Sequence, residues 1–215
     1  KELDNEKNIV YFVDYDMVQS EITMISKGDT YNKGLLPASS LFNEYFGSGL
    51  SSIIFQEIRE SKALAYSAYA YFRSPSKLDR SHYVQAYLGT QVDKLGDATD
   101  ALLELMNNMP EVEDQFDDSR IAALKKIETS RTKRSRLFWS YLSSKELGRD
   151  YDINKDIYPA LQKITLEDLK LFFDNNVKGR KYTFLVIGNK KLVDHEVLKA
   201  LGEYRELTLE EIFGY

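Results

Sequence analysis

The sequence contains no cysteine, which removes disulfides, thiolate metal sites and a cysteine nucleophile together. That absence leaves the compartment open, since a thiol-free chain fits either redox state; a bacterial periplasm or cell envelope is held as an expectation. Histidine is nearly as scarce. His82 and His195 stand alone, neither with a second histidine three to five residues away. Hydrolytic zinc needs about three protein ligands and one open position, so Asp194-His195-Glu196 reads as an exposed helix start, and no metal or other cofactor is expected in this chain. No apolar run approaches the roughly 20 residues that cross a bilayer, so no membrane span is expected. The charged start KELDNEKN lacks a signal-peptide core and fits a mature chain or an excised piece. With a net charge of −5, the basic face that neutralises phosphates is missing, so nucleic acid is not an expected partner. There is no internal repeat and no low-complexity tract.

What is present is a length of 215 residues, enough for one substantial core or two small ones sharing an interface. Hydrophobic content of 43% beside 29% charge is that of an ordinary globular chain. The unusual count is 15 tyrosines beside 11 phenylalanines. Tyrosine suits sheets and contact surfaces, because its ring packs while its hydroxyl stays wet.

Residues 1–8 are polar and read as a linker or frayed end, with one domain over 9–215. Ile9 to Val13 and Val18 to Ile25 read as strands, with Asp14 to Asp16 turning between them. A helix starting near Pro37 runs through Leu41, Phe42, Tyr45 and Phe46 to a stop at Gly47. Residues 66–73 and 81–92 alternate and form an antiparallel pair around Ser74-Pro75-Ser76. Asp93 to Met109 is a helix with Leu95, Ala98, Leu102, Leu105 and Met106 inward, ended by Pro110. Residues 111–149 are charged and helical, with Phe116, Ile121, Leu124 and Ile127 on one stripe and a second apolar set at Leu137, Phe138, Tyr141 and Leu142. A single helix over 114–147 would be about 50 Å long, so a break is expected near 129–135. Helices follow at 154–163 and 165–176, the second capped by Thr165. Then come a buried strand at 181–188, a short helix near 194–201 and a tail whose Phe213-Gly214-Tyr215 reads as a natural terminus.

The chain is organised around residues 43–66. After a glycine turn at Gly47-Ser48-Gly49, Leu50, Ile53, Ile54 and Ile58 take the spacing of one buried helix face, with Ser51 or Ser52 as cap. The period then changes, and Tyr66, Ala68, Ala70 and Phe72 alternate with Ser67, Tyr69 and Tyr71 as in a half-buried strand. Arg59 falls in the last turns of that helix and Tyr66 opens the strand, so both can project to one rim of the sheet. The glycine pair could cradle an anion at a helix N-terminus, but no lysine follows in the Walker position and no strand leads in. Arg131, Lys133, Arg134 and Arg136 form a basic run that a solvated helix face explains better than a nucleic-acid site. On composition alone Arg59 and Tyr66 also read plainly, as a surface ion pair with Glu57 or a neighbour of Glu60 and as a sheet aromatic.

Residues 43–66 resemble the signature of the noncatalytic halves of the pitrilysin/insulinase family of zinc peptidases. Asn43, the turn at 47–49, Ser52, Phe55-Gln56, Ile58-Arg59-Glu60 and Leu64-Ala65-Tyr66 stand in that family's order and spacing. Gln19-Ser20, Gly89-Thr90, Leu147-Gly148, Ile164-Thr165 and Val186-Ile187-Gly188 extend the likeness more loosely. Ala63 departs from it, standing where the family usually has glycine, which would stiffen the loop before Tyr66. The family's inverted zinc motif, H-x-x-E-H, is missing, so the resemblance implies the C-terminal, zinc-free type of domain. It implies an α+β two-layer sandwich of the processing-peptidase kind, an antiparallel sheet with helices on one face. It further implies a zinc-bearing catalytic domain as partner, on the same polypeptide or a separate subunit, a peptide substrate, and closure of a chamber over that substrate. Arg59 and Tyr66 match, in type and spacing, an arginine and a tyrosine that reach the catalytic domain in active members. Both are donors able to hold a peptide carbonyl or an oxyanion. The alternatives are a structural or interaction subunit of the same fold, such as a respiratory-complex core subunit, and a peptide- or ligand-binding module without an enzymatic partner.

Overall fold

The computed structural model describes residues 2–214; Lys1, and Tyr215 at the end of the expected terminus, lie outside the described residues. In chain order the elements are β1 (Ile9–Asp14), β2 (Gln19–Thr30), α1 (Leu36–Phe42) and a π-helical turn (Asn43–Gly47) that continues it. A second π-helix (Phe55–Ser61), β3 (Ser67–Arg73), β4 (Ser81–Gln91) and α2 (Leu95–Asn107) follow. Then come α3 (Glu113–Thr129), α4 (Arg134–Glu146), α5 (Asn154–Leu161), α6 (Leu166–Asn176), β5 (Thr183–Gly188), α7 (His195–Leu201), β6 (Glu203–Leu207) and α8 (Leu209–Phe213). The break expected near 129–135 falls between α3 and α4. Thr165 caps α6 in a reciprocal box with Asp168.

Among the described residues the strands form one six-stranded sheet in the order β3-β4-β2-β5-β1-β6. Period-two alternation sends Ile22 and Met24 of β2, Ala68, Ala70 and Phe72 of β3 and Val84, Ala86 and Leu88 of β4 to one buried face. Helical side chains meet them there: Phe42 stacks on Phe46 at 5.0 Å, and Phe172 of α6 sits 5.1 Å from Phe72. The opposite face carries half-buried tyrosines, with Tyr69 stacked on Tyr87 at 5.0 Å and tilted against Tyr71 at 5.4 Å. This is the α+β sandwich with helices on one face that the sequence implied.

The sheet itself is mixed. Antiparallel pairing holds for β2 with β4, β3 with β4 and β2 with β5, but β1 lies parallel to both β5 and β6. β1 and β2 are neighbours in sequence, yet β5 is inserted between them, because the chain crosses through the helical layer before returning. β6 and α8 fall in the tail for which the sequence suggested no element. Leu50 is 75% exposed, since it lies in the Gly49 turn before the helix begins. Ile121 is 48% exposed, because Ser119 and Ala123 mark the buried stripe of α3 and Ile121 sits roughly 200° round from each. The residues before β1 are tied to the sheet and to α7. Asn5 Nδ2 donates to Thr183 Oγ1 at 3.0 Å, the Lys27 N–H donates to Asn5 Oδ1 at 2.9 Å, and Asn8 Nδ2 donates to the Leu201 carbonyl at 2.9 Å.

β3 is an edge strand, and its free backbone is covered from within the chain. Asn43 Nδ2 donates to the Phe72 carbonyl at 3.1 Å, and the Phe72 N–H donates back to Asn43 Oδ1 at 2.8 Å. The side-chain amide thus replaces one peptide unit of a missing neighbour strand. Gly47 approaches the same edge so closely that a Cβ there would lie 2.0 Å from the Ala70 carbonyl oxygen. Gly47 is therefore required by packing, not by a left-handed stop. Asn43→Ala leaves both Phe72 groups without partners and is expected to lower stability by about 2–3 kcal/mol. Urea unfolding checks this: the midpoint falls while the slope stays that of the parent.

Candidate functional site

The π-helix Phe55–Ser61 ends by wide-turn bonding, with the Lys62 N–H donating to the Glu57 carbonyl at 3.1 Å. The chain then turns sharply. The Leu64 N–H donates to the Ile58 carbonyl at 2.9 Å, and between them Ala63 takes φ +49°, the left-handed region. Among the described residues Ala63 is the one non-glycine there. This is the position where the resembled family usually has glycine, so the backbone keeps the conformation and the methyl bears the strain. Lys94 Nζ donates to the Ala63 carbonyl at 3.0 Å and Thr90 Oγ1 to that of Leu64 at 2.5 Å, fastening the loop to the end of β4.

Tyr66 enters the sheet with its N–H donating to the Gly89 carbonyl at 3.1 Å. Its ring folds over Gly89, where a Cβ would stand 2.6 Å from the ring's Cζ and hydroxyl oxygen. Gly89 therefore makes the seat for that ring. Burial first, then the neighbouring Tyr66, holds the Tyr87 phenol above its ordinary range. Tyr66 itself stays 40% exposed.

Arg59 lies with its guanidinium 4.9 Å over the Phe55 ring and its Nε 3.6 Å from Glu60 Oε1, its side chain 46% exposed. A pair that long and open to water contributes little. The surface pairing considered from the sequence is thus present with Glu60 itself, in weak form. Arg59 and Tyr66 line one depression of about 330 Å³ together with Gln19, Glu60, Gln91 and Lys94. The structure brings the two expected site residues to one rim. It adds Lys94, which nothing in the local sequence marked, since it reaches the rim only through the fold of β4 against the 62–65 loop.

The other sequence candidates have local explanations. Ser52 Oγ accepts from the Phe55 N–H at 3.4 Å and donates to the Gly49 carbonyl at 2.9 Å, so the glycine turn is closed by its own chain. Arg131, Lys133, Arg134 and Arg136 are exposed. His82 is buried, accepts from the Asn32 N–H at Nε2 (3.0 Å), and is held below the ordinary imidazole range by burial. His195 does more than start a helix. Its Nδ1 lies 2.9 Å from the Tyr204 hydroxyl and its Nε2 2.9 Å from the Lys190 carbonyl, joining α7 to β6. Among the described residues no three His, Asp or Glu side chains are grouped as a metal ion would need, and His195 is engaged at both ring nitrogens and His82 at Nε2. These residues do not fit a zinc site.

A family model described as the peptidase M16 inactive domain matches residues 2–127. In fold the chain is similar to the crystal structure of a peptidase M16 inactive domain from Pseudomonas fluorescens, at TM-score 0.71 and 18% identity, covering 87% of this chain and 45% of that one. It is also similar to a protease from Helicobacter pylori, at TM-score 0.68 and 17% identity, covering 86% and 45%. A conserved protein from Enterococcus faecalis gives TM-score 0.69 and 12% identity, covering 90% and 44%. The chain thus spans less than half the length of these solved chains. No curated protein matches it.

Two substitutions test the seat of the rim. Ala63→Gly relieves a left-handed alanine worth about 1–2 kcal/mol while loosening the unfolded chain by about 0.4–1 kcal/mol. Its melting temperature should therefore hold or rise. Gly89→Ala should lower stability by about 1–3 kcal/mol and displace the Tyr66 ring, visible as changed ring proton shifts. An unmoved ring would show that Gly89 is not its seat.

Proposed function

Because the chain belongs to the peptidase M16 inactive-domain family, we propose that it serves as the zinc-free C-terminal half of an insulinase-like metallopeptidase. In this reading it binds peptide substrate and closes the chamber over a zinc-bearing catalytic partner, on the same polypeptide or a separate subunit. The observation that carries the reading is the shared rim: two strong donors, Arg59 and Tyr66, lie on one depression beside Lys94 with little to hold Arg59 elsewhere. Its support from the relatives is their length, since over half of each solved chain remains outside the match.

The chemistry follows from donor supply. The guanidinium offers five N–H groups and can leave the Phe55 ring for a peptide carbonyl without breaking a strong ion pair. The Tyr66 ring is 40% exposed at the rim, and its hydroxyl can donate to a carbonyl or an oxyanion on the catalytic side. Preorganised donors of this kind act on charge that develops in the reaction, and they need no nucleophile or base within this chain.

A second reading, a structural or interaction subunit of the same fold, is favoured by one observation: both side chains already pack within the chain, Arg59 on the Phe55 ring and Tyr66 on Gly89. The reconstituted enzyme separates the two. Tyr66→Phe is expected to lower turnover about a hundredfold and Arg59→Ala at least as much, with thermal melting little changed. The double variant should lose less than the product of the singles, as residues acting on one group do. Full turnover in both single variants would assign the pair to the structural reading.

A further inference from the structure

Lys94, between β4 and α2, lines the same depression as Arg59 and Tyr66. Its Nζ donates one hydrogen bond, to the Ala63 carbonyl at 3.0 Å, and that bond is open to solvent. An ammonium carries three N–H donors and no acceptor, so two donors remain for a group from outside the chain. No carboxylate of the described residues lies within ion-pair distance of it. The side chains around the depression include two cations, Arg59 and Lys94, and one anion, Glu60. Glu60 stands beside Arg59, 3.6 Å from its Nε. Neither Glu21, opposite Gly89 in the sheet, nor Asp93, next to Lys94 in sequence, lines the depression. The lining thus keeps a positive charge that nothing in it matches, within a chain whose net charge is −5. Lys94 bears that charge.

A peptide carbonyl uses donors at such a rim but leaves the charge unmatched, whereas a carboxylate answers both. Hydrogen bonds between ionised partners are roughly twice as strong as neutral ones, and in a depression at the protein surface they are attenuated less than in bulk water. One ammonium holds a free anion weakly. A peptide already held by Arg59 and Tyr66 presents its side chains at high local concentration, so a carboxylate it carries meets Lys94 without a second association step. The ammonium is fixed beforehand on Ala63, which lowers the ordering cost of the pair. We propose that the rim selects peptides with an aspartate or glutamate in the segment it holds, and that Lys94 is the specificity-determining residue. This selection rests on the peptide-binding function proposed for the rim and names the substrate class. The acidic balance of the chain as a whole sharpens it, because other parts of the surface repel an acidic peptide and confine the attraction to the rim.

The test titrates the 215-residue chain at low salt, by calorimetry, with a short neutral peptide containing several glutamines and with the set in which glutamate replaces one glutamine at a time. At one position or more the glutamate peptide should bind about tenfold more tightly than its glutamine counterpart. Lys94→Met, which keeps the stem and removes the charge, should bring the two to parity. Lys94→Arg should keep the preference, and it guards against a displaced loop in the methionine variant. A role confined to fastening the 62–65 loop would weaken both peptides alike and leave their ratio unchanged. The proposal is overturned if no position favours glutamate, if no glutamate peptide binds, or if the preference survives Lys94→Met. Turnover of Arg59→Ala and Tyr66→Phe in the reconstituted enzyme judges the proposed function separately. Impaired turnover there with equal binding of the two peptides removes the selection alone. Full turnover with a Lys94-dependent preference removes the peptidase role alone and leaves an acidic-peptide site on an interaction subunit.

Discussion

The close approach of the Asn43–Gly47 turn to the edge of β3 is the constraint on which the rest depends. A backbone carbonyl, Ala70, meets a glycine α-carbon where no side chain fits, and one amide side chain completes the backbone bonding of Phe72. This contact joins the helical layer to the sheet at its most exposed strand and leaves that edge no open backbone at Phe72 for a foreign strand to use. It also fixes where the next π-helix begins. Residues 55–61 can deliver Arg59 to the rim only if the corner before them is anchored, so the covering of the edge and the placing of the site have one cause.

The rim itself is built by small residues more than by large ones. Gly89 supplies the seat of the Tyr66 ring and Ala63 the turn that leads to it, while Lys94 and Thr90 fasten the loop from outside. Substitutions at 63 and 89 therefore act on the orientation of donors they never touch.

Much of this was legible in the sequence, because the signals were periodic. Alternation in β3 and β4, the inward set of α2 and the cap at Thr165 each carry a local rule that the tertiary structure keeps. Arg59 and Tyr66 were legible as a pair because seven residues, one helix end and one strand start suffice to bring them together. The parallel pairing of β1 was not, since Ile9 to Val13 is equally apolar whichever neighbour it takes. Nor was the π-helical widening at 43–47 and 55–61, for an extra residue per turn leaves the buried positions Ile54 and Ile58 where an α-helix would put them. Lys94 gave no local signal at all. It owes its place to contacts between elements far apart in the chain.

The position of β1 has a consequence for the order in which the fold can be assembled. Val10 lies between Phe184 and Tyr204, so both partners of the first strand come from the end of the chain. β2, β4 and β3 can pair from residues 19–91 alone, β3 with β4 through the short 74–80 connection and β2 with β4 across the 31–66 stretch that carries α1. Until β5 arrives, those three strands present the backbone of Glu21 to Ile25 unpaired, and β1 has nothing to join. Pairings across so long a stretch form late, after the local ones. The strands made last are thus the ones that lock in the residues made first, and a nascent chain paused before residue 183 carries a three-stranded sheet with one raw edge.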